Sequence, residues 1–278
     1  MNRLWHISDL LGLGPGPARV LLVLVAAMLV GTVLRAIRLV ARRTSTARER
    51  WRSVGTWWAL LAVFVAMLAV GRPAVAVVMG VGALLALREA WAIAAPGSRG
   101  LALAVAVVGP GFVVAVAWLP GPVTLPGTEL GWLVLLLVLT ELNDIAQAFW
   151  GRTLGRRRMT PVLSPKKTWA GFWGGVVTTT AAAVLIAPYL TDYGRGIPPG
   201  AGALADAPAW LWPAVLGVLV APAGVAGDLL ASRLKRRAGV KDSGRLLPGQ
   251  GGVLDRLDSL TGTAPVFWVL TWFLWIQP

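Results

Sequence analysis

Residues 101–119 read LALAVAVVGPGFVVAVAWL, nineteen consecutive positions without one ionisable side chain. A helix needs about 20 such residues to cross the hydrocarbon of a bilayer. Comparable runs recur along the chain, so only 14% of its residues are charged and its mean hydropathy is +0.71. A soluble domain carries about 25% charge. A bilayer admits only helices or closed barrels, and these runs lack the strict alternation of barrel strands. The sequence therefore predicts an all-α, polytopic membrane bundle.

Eight spans are expected, near 18–40, 55–71, 73–95, 101–119, 130–150, 169–190, 209–230 and 260–276. The GRP link at 71–73 would also fit one broken hairpin in place of two spans. Segment 1–16 lacks the basic start and cleavage site of a signal peptide. The first span instead ends in the basic run from Arg35 to Arg52. Placing that run inside puts 22 of the 26 Lys and Arg residues on cytoplasmic segments, leaving Arg3, Arg19, Arg72 and Arg195 outside. Positive-inside asymmetry sets both the orientation and the span count, and both termini are predicted outside. The expected localisation is the inner (cell) membrane, with the polar site facing the cytoplasm. Two parts are expected: 1–128, with about four helices, and 129–278, with cytoplasmic loops 151–168 and 231–258.

The net charge of +14 is accounted for by this loop distribution, so no nucleic acid partner is expected. With no cysteine and His6 as the single histidine, thiol nucleophiles, thiolate zinc sites and histidine catalysis are excluded. Any metal must be a hard cation held by oxygens. GFWGG at 171–175 and the TTTAAA that follows read as helix-packing residues. No internal repeat is visible, which argues against a transporter. The Gly/Pro/Ala-rich segment 193–208 reads as an external linker.

The chain has twelve acidic residues. Asp9, Glu49, Glu89, Glu129, Asp192 and Asp206 are scattered and read as solvated or snorkelling charges, Glu89 forming a local pair with Arg88. The other six gather on one side. Glu141 and Asp144, with Asn143, lie two turns before the inner end of the fifth span. Asp228 lies near the inner end of the seventh, and Asp242, Asp255 and Asp258 lie in the loop KDSGRLLPGQGGVLDRLDS. If the seventh span continues as helix, Asp228, Ser232 and Lys235 share one face. Asp255 and Asp258, three apart, would share another. PGQGG at 248–252, between the two groups, offers a backbone that can approach a phosphate, and Lys235, Arg236, Lys241, Arg245 and Arg256 supply positive charge. The plainer alternative is a basic loop whose acids merely offset its charge.

SRLKRRAGVKDSGRLLPGQGGVLDRLD, Ser232–Asp258, resembles the signature of the phosphatidate cytidylyltransferases (CDP-diacylglycerol synthases): S-x-x-K-R, four residues, K-D, a small residue one further on, then P-x-H-G-G-x-x-D-R-x-D. One fixed position differs: Gln250 stands where the family has histidine. SPKKTWAGFWGG at 164–175 and NDIAQAFWGRTLGRRR at 143–158 resemble further family blocks, and the likeness covers roughly 130–278. It implies a membrane nucleotidyltransferase of phospholipid biosynthesis that condenses CTP with phosphatidic acid, giving CDP-diacylglycerol and pyrophosphate. By position, Asp228 and Asp255 become metal ligands, with Mg²⁺ in two divalent-ion positions, one of them open to another cation. Asp144, Lys235, Lys241, Asp242 and Asp258 become catalytic. Ser232, Lys166, Lys167, Arg236, Gly251 and Gly252 become substrate contacts. Membrane lipid is the surrounding partner, and a homodimer is compatible with the resemblance. Gln250 keeps open a non-catalytic or weakly active paralogue that binds lipid phosphate or nucleotide. The same reaction on a different lipid phosphate is also open.

Overall fold

The computed structural model describes residues 47–119, 130–191 and 207–273, with Val25, Leu29 and Thr32 ahead of them. The expected first span, both chain ends and most of segment 193–208 lie outside the described residues.

Apolar composition without β-branched alternation produces helices, and eight appear among the described residues. They are α1 (Ala47–Val70), α2 (Arg72–Ile93), α3 (Arg99–Ala117), α4 (Gly131–Thr153), α5 (Trp169–Leu190), α6 (Leu211–Arg237), α7 (Leu254–Leu257) and α8 (Leu260–Thr271). Six of them, α1 to α6, are long and apolar enough to cross a membrane. The molecule is thus a multi-span membrane bundle. The last expected span is only twelve residues of helix, α8, within the described chain.

The helix of the second span begins at Ala47, ahead of its apolar stretch, which starts at Arg52. The helix of the seventh continues past residue 230 to Arg237, so Asp228, Ser232 and Lys235 do share a helix. The all-α bundle also carries a short hairpin. Arg158–Thr160 (β1) and Ser164–Thr168 (β2) pair as an antiparallel hairpin within the connection 151–168. Pro161 opens its turn, and Thr168 ends it by capping α5, accepting the Gly171 N–H at 3.1 Å. A single residue, Gly71 at φ 89°, separates α1 from α2; an L side chain would be strained there.

The core is continuous from α2 and α3 to α8. Val75, Ala86, Val105, Val113, Leu133, Leu136, Leu216 and Phe267 are all fully buried within one cluster. Trp132 meets Phe267 edge-on at 6.3 Å. Small residues permit the closest approaches. A Cβ at Gly227 of α6 would stand 2.6 Å from the Asp258 carbonyl oxygen and 2.7 Å from the Gly262 nitrogen of α8. That crossing matters for the site, because Asp228 follows Gly227 directly and Asp258 is the residue touched. The GFWGG stretch packs as expected: Gly171, Gly174 and Gly175 of α5 face Gln147, Trp150 and Asn143 of α4.

Candidate active site

The C-terminal turns of α6 carry the centre of the site. Ser232 Oγ donates to Asp228 Oδ1 one turn back, at 3.3 Å. One turn forward, Lys235 Nζ donates to Asp255 Oδ1 at 2.7 Å and lies 3.6 Å from Asp258 Oδ2. Lys235 and Asp255 are each only 9% exposed at their side chains, so the ammonium is screened little by water and holds both aspartates.

α4 contributes from the opposite side. Asp144 Oδ2 accepts the Ser259 hydroxyl at 2.7 Å, which ties α4 to the residue after Asp258. Gln147, one turn on, donates to Asp144 at 3.5 Å and accepts from Lys167 Nζ at 3.1 Å. Lys167 also pairs with Asp228 Oδ2 at 2.8 Å. The hairpin explains how: β2 runs directly into α5 and delivers Lys167 across the mouth between α4 and α6. Asp144 of α4, Asp228 of α6, and Asp255 and Asp258 of α7 and its C-cap are therefore linked through Lys167, Lys235, Gln147 and Ser259.

The glycine-rich loop turns around two carboxylates. Asp255 Oδ2 accepts the backbone N–H of Ser243 at 3.0 Å and that of Gly252 at 2.9 Å. Gly251, at φ 85°, lies so close to Asp255 that a Cβ there would meet its Oδ2 at 2.6 Å. On the other side of the loop, Glu89 of α2 accepts from Ser243 Oγ (2.9 Å), Val253 N (3.1 Å) and Leu254 N (3.0 Å). The reading of Glu89 as a solvated charge paired with Arg88 is thus corrected: it is an acceptor for the loop. The loop's tip docks on α1. Thr56 Oγ1 donates to the Pro248 carbonyl at 3.0 Å, and buried Gln250 donates to the Ser53 carbonyl at 3.4 Å.

Electrostatics separate the loop's two aspartates. Burial disfavours the charge on Asp255. The Lys235 hydrogen bond and the Gly252 and Ser243 amides outweigh that and hold its carboxyl below the usual range. Burial, then the neighbouring Asp228 and Asp144, push Asp258 up to about 7 against the partial relief from Lys235.

A cavity of about 900 Å³ opens above this cluster. Asp144, Asp228 and Lys167 line its floor, and Arg152, Arg156, Arg158 and Lys166 line its wall. The four wall cations are exposed and, among the described residues, make no hydrogen bond or ion pair. A wall of unneutralised cations over a floor of acids suits a polyanion with bound cation. The three arginines went unassigned in the sequence. The signal was there in the six cations of 151–168, but only the hairpin shows which of them face inward.

The remaining expected residues divide. Arg236 turns to backbone, donating to the Leu163 and Val240 carbonyls at 3.2 Å each, and so ties α6 to the hairpin turn. Lys241 and Asp242 are exposed and lack a hydrogen bond or ion pair among the described residues. Gly251 faces Asp255, and the Gly252 N–H is committed to the same carboxylate. Glu141 is exposed on α4, one turn from Asp144.

The donor set fits a hard divalent ion. Three of the four aspartates share only two ammonium groups, Lys167 and Lys235, Asp144 is held by Ser259 and Gln147, and every donor is oxygen. Among the described residues no three acids close into a metal cage. Mg²⁺ does not ask for one, because it takes one or two carboxylates and completes its shell with waters and substrate phosphates.

Residues 19–274 match the model of a family described as the cytidylyltransferase family. An uncharacterized protein of Escherichia coli (strain K12), YnbB, is 47% identical over 132 residues, 48% of this chain and 39% of that protein. A phosphatidate cytidylyltransferase of Mycobacterium bovis is 36% identical over 145 residues, covering 52% of this chain and 42% of the relative. One of Brucella suis is 38% identical over 138 residues, covering 49% and 45%. The chain thus spans less than half the length of these curated relatives.

Proposed function

The chain belongs to the cytidylyltransferase family, specifically its phosphatidate cytidylyltransferase (CDP-diacylglycerol synthase) members, and from that premise we propose that it condenses CTP with phosphatidic acid to CDP-diacylglycerol and pyrophosphate. The observation that supports this reading is the convergence of Asp144, Asp228, Asp255 and Asp258 with Lys167 and Lys235 under a cavity walled by Arg152, Arg156, Arg158 and Lys166.

The cationic wall binds and orients the triphosphate, leaving the α-phosphorus over the floor. Bound Mg²⁺, with Asp228 and Asp255 as its ligands, would neutralise phosphate charge. Lys167 and Lys235, each within reach of two groups, hold those carboxylates in place and can turn to phosphate oxygens. A lipid phosphate oxygen then forms the new P–O bond as the bond to pyrophosphate breaks. A phosphate monoester is already largely ionised near neutral pH, so the attack requires no general base. Lys166 and the arginines offset the charge that builds on the leaving pyrophosphate. Position and electrostatics supply most of the rate. Lys241 and Asp242, at the loop's exposed start, are assigned to substrate that closes over the cavity, and the site faces the cytoplasm.

A second reading, a non-catalytic paralogue, is suggested by Gln250. Its geometry favours activity. The Gln250 amide is buried against the Ser53 carbonyl and its backbone holds Arg256, an anchoring role that requires a hydrogen bond and not a titrating ring.

The test is purified protein with labelled CTP, phosphatidate and Mg²⁺, with Asp255→Asn alongside. Wild type should give CDP-lipid and pyrophosphate, and the variant at least about 100-fold less. Absence of CDP-lipid from wild type refutes the function, and equal product from the variant refutes the site. A polyprenyl phosphate and an ether-linked phosphatidate in the same assay identify the lipid class.

A further inference from the structure

Among the described residues, Glu89 is the acid of the first half of the chain that meets the site's loop. It stands on α2, and its three donors are Ser243, Val253 and Leu254, more than 150 residues away. The same two stretches of backbone carry the donors of Asp255, namely the N–H groups of Ser243 and Gly252. The loop is therefore gripped between two carboxylates, Asp255 inside and Glu89 outside. The fit around Glu89 is close. A Cβ at Gly244 would meet Glu89 Oε1 at 2.6 Å, and one at Gly252 would collide with Glu89 Oε2 and Ser243 Oγ. The two glycines are spaces that the carboxylate occupies.

We propose that Glu89 is a positioning residue: from α2 it fixes the 243–254 loop so that Asp255 presents one oxygen to Lys235 and the cation-binding floor. It touches no reacting atom. Its effect passes through shared hydrogen bonds: Ser243 gives its hydroxyl to Glu89 and its N–H to Asp255. Removing the carboxylate leaves two backbone N–H groups and a hydroxyl without an acceptor. It also frees Asp255 Oδ2 to rotate with the loop. The inference rests on the proposed cytidylyl transfer for its kinetic readout only.

Glu89→Gln is the sharpest probe. It keeps the shape but places an NH₂ against groups that are all donors. Its kcat should fall about tenfold or more, the range for groups that orient a metal ligand. The Mg²⁺ concentration for half-activity should rise about tenfold, with KM for CTP within about twofold because the cationic wall is untouched. Ser243→Ala removes one of the three bonds and should show the same Mg²⁺ shift, smaller, in a protein that keeps its fold. Arg88→Gln, at the exposed neighbour, should behave as wild type.

A second readout needs no turnover. Limited trypsin cleavage at exposed Lys241 and Arg245 should be about tenfold faster in Glu89→Gln than in wild type, with cleavage at Arg156–Arg158 unchanged. Equal cleavage rates overturn the proposal. So does faster cleavage with wild-type Mg²⁺ dependence, because Glu89 would then only stabilise. If wild type transfers no cytidylyl group, the proposed function fails by itself and the cleavage rates still decide Glu89.

Discussion

Single residues set the charge state of the site. Folding raises the Asp258 carboxyl from its ordinary value of 3.8 to about 7. The folded chain thus binds that proton more tightly than the unfolded one. The stabilisation is complete below the unfolded value and is lost as pH rises through about 7. In detergent with a chelator, the melting temperature of wild type relative to Asp258→Asn should fall between about pH 4 and about pH 7 and level off above. A difference that stays flat or rises contradicts the assignment. Gln250→His tests another residue. Imidazole can keep a donor on the Ser53 carbonyl, so turnover should stay within about threefold of wild type. A gain of 100-fold would make histidine a participant in the chemistry. At this scale the sequence was legible where residues cluster. Asp255 and Asp258 of the signature meet Lys235, whereas Lys241 and Asp242, equally prominent in the sequence, lie exposed and apart from them. Glu89 was not legible, because an acid beside Arg88 in an apolar span looks like a local pair, and nothing local in the sequence points to partners more than 150 residues away.

Elements bring the residues together, and here the tightest crossing is the most informative. Gly227 of α6 leans on backbone atoms of Asp258 and Gly262, which cannot yield as a flexible side chain does. Gly227→Ala should separate α6 from α8, cost about 1–3 kcal/mol in stability, and lower turnover by moving Asp228 away from Asp258. Gly80→Ala, on α2 with nothing within 4 Å, is the control and should be neutral or stabilising. Thermal melts and the CTP assay on both check the pair. The end of α6 lies beyond the end of its apolar span for a physical reason. Hydropathy falls after Leu230, but Ala231 to Arg237 are still mostly good helix formers; hydropathy reports where the membrane ends, not where the helix does. The β1–β2 hairpin was missed because strands of three and five residues leave almost no periodic trace.

The whole molecule turns this geometry toward one side of a membrane. The 22-to-4 division of basic residues predicts that side to be cytoplasmic. Because the chain has no cysteine, single cysteines at Lys166 or Arg245 can be labelled cleanly. An impermeant maleimide should react in inverted vesicles and fail in intact cells; the opposite pattern reverses the topology. α6 also has a consequence of its own. Its 27 residues make a rod of about 40 Å, longer than the roughly 30 Å oily layer, so a layer that begins at Leu211 ends before Lys235, at the depth of lipid headgroups. A substrate met at that depth can leave its tails among neighbouring lipids from docking to release. Discrimination then falls on the head: chain length and unsaturation should alter turnover by no more than about twofold, whereas methylating the phosphate should abolish it.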